Sequence, residues 1–223
     1  MIPSLSDIKK KVNPGYKVGA DYVDMGRPLD LDTVYDCFMD IFSIYYNLTR
    51  FDSSPADEQG KMNATESVAR DLTAQQGEHG FAAEAVFDSK GEQYFLIKAA
   101  KVAQVNTAEY VYFVKEDELT ADALKAYDIK AWTEGIAHVK PCPEHKNTDV
   151  VLIIIAKSIT GEAKECVKKL SHSKNYKMAL HGYSNYRLVA VETDSGIAYF
   201  NRRARILKGL VGNILKEEKE RGK

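Results

Sequence analysis

Seven consecutive apolar residues, Val150-Val151-Leu152-Ile153-Ile154-Ile155-Ala156, constrain this chain more than any other stretch. β-Branched residues dominate the run and suit a pleated strand better than a helix. Because it does not alternate, both faces of that strand have to be covered, which calls for a sheet with a layer on each side. The run has about a third of the ~20 residues that a membrane span needs, so a buried central strand is expected and a membrane crossing is not. A chain of 223 residues and 25.0 kDa can build such a core. At this size roughly 70% of the extended surface is buried without disulfide or metal staples, so no cofactor is needed for stability and none is expected.

The rest of the chain supplies the layers. Leu31, Val34, Tyr35, Phe38, Ile41, Phe42 and Tyr45 recur every three or four residues, an apolar stripe that predicts a helix capped by Asp30 or Asp32. Residues 52–80 turn polar, with Ser53-Ser54-Pro55, Gly60 and Gln75-Gln76-Gly77, and read as a long connection holding a short helix at 65–74. Runs at 81–87, 93–105 and 109–114 read as an antiparallel meander, with Asp88-Ser89-Lys90-Gly91 as its first turn. Residues 120–139 predict a helix ended by Pro141 and Pro143. Beyond the central strand come a short helix at 161–170 and strands at 176–181, 186–193 and 196–201, the last two joined through Asp194-Ser195-Gly196. Ile206, Leu210, Val211, Ile214 and Leu215 form the stripe of an amphipathic C-terminal helix. Together these predict an α+β fold, an antiparallel-rich mixed sheet flanked by helices. A helical N-terminal extension with its polar connection takes up residues 1–80, and the main domain takes up 81–223.

Charge narrows the choice of partners. With 44% hydrophobic and 28% charged residues the chain is an ordinary globular one, and 31 Lys and Arg against 32 Asp and Glu argue against a surface built for nucleic acid or acidic membranes. Residues 200–223 nevertheless carry eight basic residues and three Glu, while residues 16–40 carry six Asp against one Lys and one Arg. Opposite patches on one chain suit pairing within or between subunits, so a homo-oligomer or a protein partner is expected ahead of nucleic acid. The first residues lack an apolar core of about 7–15 residues behind a basic leader. Cys37, Cys142 and Cys166 have no C-x-x-C spacing, the pattern of a reducing compartment. The expectation is a cytoplasmic, non-enzymatic binding or interaction domain that associates with itself and does not engage a membrane.

Two resemblances follow from this pattern. The order helix, antiparallel meander, helix and buried strand resembles the core of the restriction-endonuclease-like fold. Gly91-Glu92-Gln93-Tyr94-Phe95-Leu96-Ile97-Lys98, Tyr112-Phe113-Val114-Lys115, Glu144-His145-x-x-Thr148, Gly182-Tyr183-x-x-Tyr186-Arg187-Leu188-Val189 and Asn201-Arg202-Arg203 together resemble a bacterial and archaeal family of uncharacterised proteins, a domain of unknown function, over about residues 80–205. That kinship implies no chemistry.

Candidate chemistry divides into three sets. In the nuclease-like core an Asp and a Glu-x-Lys on adjacent strands hold a divalent metal beside the attacking water. Lys98 could be that lysine, with Glu84 or Asp88 on the neighbouring strand and Glu144 and His145 as further catalytic candidates. Leu96 stands where the second carboxylate belongs, which makes a metal-dependent hydrolase acting on phosphodiesters the alternative rather than the first reading. His138, Cys142 and His145 have a spacing that allows zinc ligation, though no fourth ligand is evident. His181, Tyr183, Tyr186, Arg187, Arg202 and Arg203 interleave basic and aromatic groups on the last strands and form the candidate ligand-binding set. Cys37 and Cys166 lie on apolar helix stripes and read as core residues. No P-loop or G-x-G-x-x-G is present.

Overall fold

The apolar run lies in the middle of a mixed sheet. In the computed structural model, which describes residues 15–51, 80–94 and 101–221, β6 (His145–Ile159) runs parallel to β5 (Lys101–Leu119) on one side and to β8 (Tyr183–Glu192) on the other. Beyond β5 the ladder continues antiparallel through β4 (Ala83–Tyr94) to β3 (Asn47–Arg50). Beyond β8 it continues antiparallel through β9 (Ile197–Phe200) and β2 (Tyr22–Asp24) to β1 (Lys17–Val18). The short β7 (Ser173–Asn175) pairs with the N-terminal part of β8 that β9 does not reach. Nine strands thus form one sheet among the described residues.

Helices cover both faces, as the unbroken apolar strand requires. α1 (Leu31–Tyr45) and α4 (Lys208–Arg221) pack on the face that presents Val111, Phe113, Val151, Ile153, Val189 and Val191. α2 (Ala121–Ala137) and α3 (Gly161–Lys169) pack on the face that presents Tyr112, Val114, Leu152, Ile154, Tyr186 and Leu188. Three helices start at side chains that accept a backbone N–H: Asp30 from Thr33, Thr120 from Ala123 and Thr160 from Ala163. Gly135 lets α2 sit close on the sheet, because a Cβ there would lie 2.5 Å from a Val150 methyl. The expected α+β arrangement is present, and α1, β3–β4–β5, α2 and β6 follow the expected order of helix, meander, helix and buried strand. Among the described residues no helix is long and apolar enough to cross a membrane.

Several local expectations need correction. The stretch Asp88-Ser89-Lys90-Gly91 is no turn: β4 runs through it, paired residue for residue with β5 from Ala108 to Val105. The 93–105 and 109–114 runs are consequently not two separate strands, since residues 101–119 form the single β5, and β3 takes the outer place in the meander. Residues 176–181 are no strand either. Lys177, Met178 and Ala179 have φ of 45, 54 and 69°, a left-handed turn that no β-ladder accommodates. In α4, Val211, Ile214 and Leu215 are buried, but Ile206 in the preceding turn is 71% exposed and Leu210 43% exposed, so the stripe docks only in part. The acidic and basic segments do meet within the chain. They do so through Arg27 against Glu218 at 2.5 Å and through Lys208 Nζ donating to the carbonyls of Gly19 and Ala20, not through the Asp-rich surplus. The expected helix at 65–74 lies outside the described residues.

Candidate functional site

Strand parity places three charges on one row. Glu109 on β5 is in register with Asp149 on β6, and Arg187 on β8 pairs with Val151, two residues further along that strand. Each charge lies two residues before a buried valine, Val111, Val151 or Val189, on the face covered by α1 and α4. α1 ends at Tyr45, so the apolar covering stops there and polar side chains take over the end of the sheet.

Arg187 bridges the two carboxylates, 3.0 Å from Glu109 and 2.8 Å from Asp149. Asn147 and Asn185 also donate to Asp149, and the Tyr46 hydroxyl donates to the second oxygen of Glu109 at 2.5 Å. Two carboxylates against one guanidinium leave the cluster with a net negative charge. Burial raises the pKa of Glu109 above its ordinary value, while the Tyr46 hydroxyl and Arg187 pull it back. The Tyr46 phenol is pushed well up, first by burial and then by its bond to that carboxylate.

A cavity of about 280 Å³ opens beside this cluster. Ile41, Phe42, Tyr45 and Tyr46 line it from the end of α1, Phe87 from β4, Glu109 from β5 and Leu210 from α4. The rings adjoin one another, with Phe42 4.9 Å from Tyr46 and Tyr46 5.7 Å from Phe87, centroid to centroid.

A second polar cluster sits on the other face. Asp128 of α2 is 2% exposed and accepts a 2.7 Å hydrogen bond from His172 Nε2. Trp132 stacks on the His172 ring, and Tyr186 meets both rings edge-on. The Tyr186 phenol is pushed far up by burial and by the nearby Asp128. The two do not reach good hydrogen-bond geometry, and among the described residues Asp128 Oδ1 and Tyr186 Oη are buried without a partner.

The sequence candidates are spread over these sites and beyond them. Glu84 on β4 pairs with Tyr112, whereas His145 pairs with Asn106. Six residues of β5 separate those positions, about 20 Å. His145 is buried, with Nδ1 2.7 Å from the His181 carbonyl and Nε2 3.0 Å from Thr148 Oγ1. A carbonyl opposite Nδ1 requires the proton there, so in the neutral ring Nε2 accepts from the Thr148 hydroxyl. Glu144 is exposed in the turn before β6, and its carbonyl accepts from the Asn106 N–H. His138 stacks on Tyr110, and the Cys142 carbonyl accepts from the His145 N–H. Among the described residues no three His, Cys, Asp or Glu side chains gather as a metal site would require. Lys98 and Leu96 lie outside the described residues.

Within the basic–aromatic set, Tyr186 and Arg187 point to opposite faces, Tyr183 is partly exposed, and Arg202 and Arg203 are exposed in the turn after β9. Sequence reasoning missed Glu109, Asp149, Asp128 and His172. The available signal for the first two was a charge standing on the inward row of a strand, two places before the first buried valine of that row.

The chain belongs to the family described as Domain of unknown function (DUF8052), which matches residues 68–211 and so reaches further at both ends than the resemblance over about 80–205. No curated protein and no solved structure matches the chain.

Proposed function

Starting from membership in a family of unknown function, we propose that the chain is a non-enzymatic binding domain that holds a small ligand in the aromatic cavity at the end of α1. The cavity carries this reading. Its volume, about 280 Å³, is just below the ≈ 300–1,000 Å³ of drug-sized ligand pockets and suits a smaller ligand, and it combines apolar walls with a carboxylate anchor. Residence in the cytoplasm is part of the proposal, supported by three free cysteines.

The hydrolase alternative has less support: Glu84 and His145 stand about 20 Å apart along the sheet, and both ring nitrogens of His145 are occupied. Self-association is a second reading, supported by the exposed Ile44, Tyr45 and Ile206. Of the basic–aromatic set, Tyr183, Arg202 and Arg203 remain accessible for such contacts, while Arg187 is held by its two carboxylates.

Titration of the full chain with benzyl alcohol and benzylamine, followed by calorimetry, tests the cavity. Saturable binding at one site, lost in Phe87→Ala, is expected. A chain that binds neither probe, or a Phe87→Ala chain that binds both unchanged, would overturn the reading.

A further inference from the structure

Resting on the reading of that cavity as a ligand site, we propose that its ligand is a small organic cation, a methylated or quaternary ammonium group held between aromatic rings and the Glu109 carboxylate. Four of the seven lining residues are Phe42, Tyr45, Tyr46 and Phe87. Aromatic faces carry the negative end of the ring quadrupole and attract a cation within about 6 Å, most strongly where water is excluded.

The charge balance points the same way. Among the described residues, Glu109 is the one carboxylate in the lining, and no Lys, Arg or His lines the cavity. Arg187 sits on β8 behind Glu109, shared with Asp149, so the cluster stays net negative after its internal pairing. An anion would add repulsion. A neutral hydrocarbon would strip water from the carboxylate and give nothing back, whereas a cation compensates the charge it desolvates. Burial already disfavours the charged form of Glu109, so a cation arriving there relieves an existing electrostatic penalty.

Hydrogen-bond capacity selects within the cations. A primary ammonium has three N–H groups to satisfy, and the Glu109 carboxylate already accepts from Tyr46 and Arg187. A methylated ammonium makes no such demand and places its methyl groups against the rings.

Calorimetric titration of the full chain compares choline, ethanolamine and the uncharged analogue of choline in which carbon replaces the quaternary nitrogen. Choline is expected to bind about tenfold or more tightly than the uncharged analogue, the difference that one desolvated cation–π contact supplies, and more tightly than ethanolamine. Equal binding of choline and the analogue, or no binding by any of the three while benzyl alcohol still binds, would overturn the cation assignment and leave the cavity reading standing; failure of benzyl alcohol and benzylamine as well would overturn both. Equal binding of ethanolamine and choline would overturn the methylated class alone. Glu109→Gln is expected to remove the preference for choline over the analogue. If that variant does not fold, the comparison on the unsubstituted chain still decides.

Discussion

Tyr186 and Arg187 are neighbours in the chain, yet they end up in opposite kinds of site. Tyr186 is sealed beneath α2, against Trp132, His172 and a buried Asp128. Arg187 turns to the other face, where α1 has already ended, and joins two carboxylates beside an open aromatic cavity. Both sites are built from carboxylate, nitrogen base and aromatic ring. Helix coverage separates them: α2 carries Asp128 and Trp132 over its end of the sheet, whereas α1 stops at Tyr45. The same residue types therefore make a lock around the buried Asp128 and Tyr186 and a receptive site where the covering layer ends.

The strand beneath both sites gives the largest expected effect. Ile153 is 1% exposed at the centre of β6, and Ile153→Asp should abolish cooperative folding, because an unpaired buried carboxylate costs several kcal/mol against a total of about 5–15 kcal/mol. Circular dichroism with a urea melt checks this. A cooperatively folded variant would mean that β6 is not the covered middle strand of the sheet.

That central strand was legible because an apolar run without alternation admits few placements. The α1 stripe and its Asp30 cap were legible for a similar reason, since both signals are local. β4 was misread at Asp88-Ser89-Lys90-Gly91 because these turn-forming residues are held in a strand by β5, a partner that lies outside any short window. Residues 176–181 look strand-like in composition, but the backbone folds back so that Gly182, at φ +78, sits against the backbone of His145, where a Cβ would lie 2.5 Å from its carbonyl oxygen. The basic–aromatic set was read as one surface although alternate parity sends its members to two faces. Glu109 and Asp149 were not legible as partners of Arg187, because 78 and 38 residues of chain separate them from it.

Asp128→Ala sharpens the contrast from the sealed side. It removes the acceptor of His172 and leaves a void beside Tyr186, and a loss of about 2–3 kcal/mol is expected in urea melts. Binding in the cavity on the other face should be unchanged. A large change in binding with intact stability would show that the sealed cluster is the functional one.

Acidification separates stability from binding on the open side. Burial holds the pKa of Glu109 above its ordinary 4.5, so the folded state binds this proton more firmly than the unfolded state. Between 4.5 and the raised value, stability from this group increases as pH falls and declines as pH rises. The effect is read as the difference between the unsubstituted chain and Glu109→Gln in melts across that window. Choline affinity should move oppositely, weakening as pH falls, because protonation removes the attracting charge. Parallel changes in both quantities would mean that Glu109 is not the anchor.

The smallest effect is expected at the exposed edge. Ile206→Ser should leave stability within about 0.5 kcal/mol, and light scattering should show a lower mass if that surface holds a second copy. An unchanged dimeric mass would move the interface elsewhere.

The contrast between the two faces can be read in one titration. Tetramethylammonium added to the full chain, followed by two-dimensional NMR, should shift the amide and ring signals of Phe42, Tyr46, Phe87 and Glu109 along a saturating curve while the Trp132 indole and the His172 ring stay in place. Shifts at Trp132 and His172 with Phe87 and Glu109 unmoved would contradict the account.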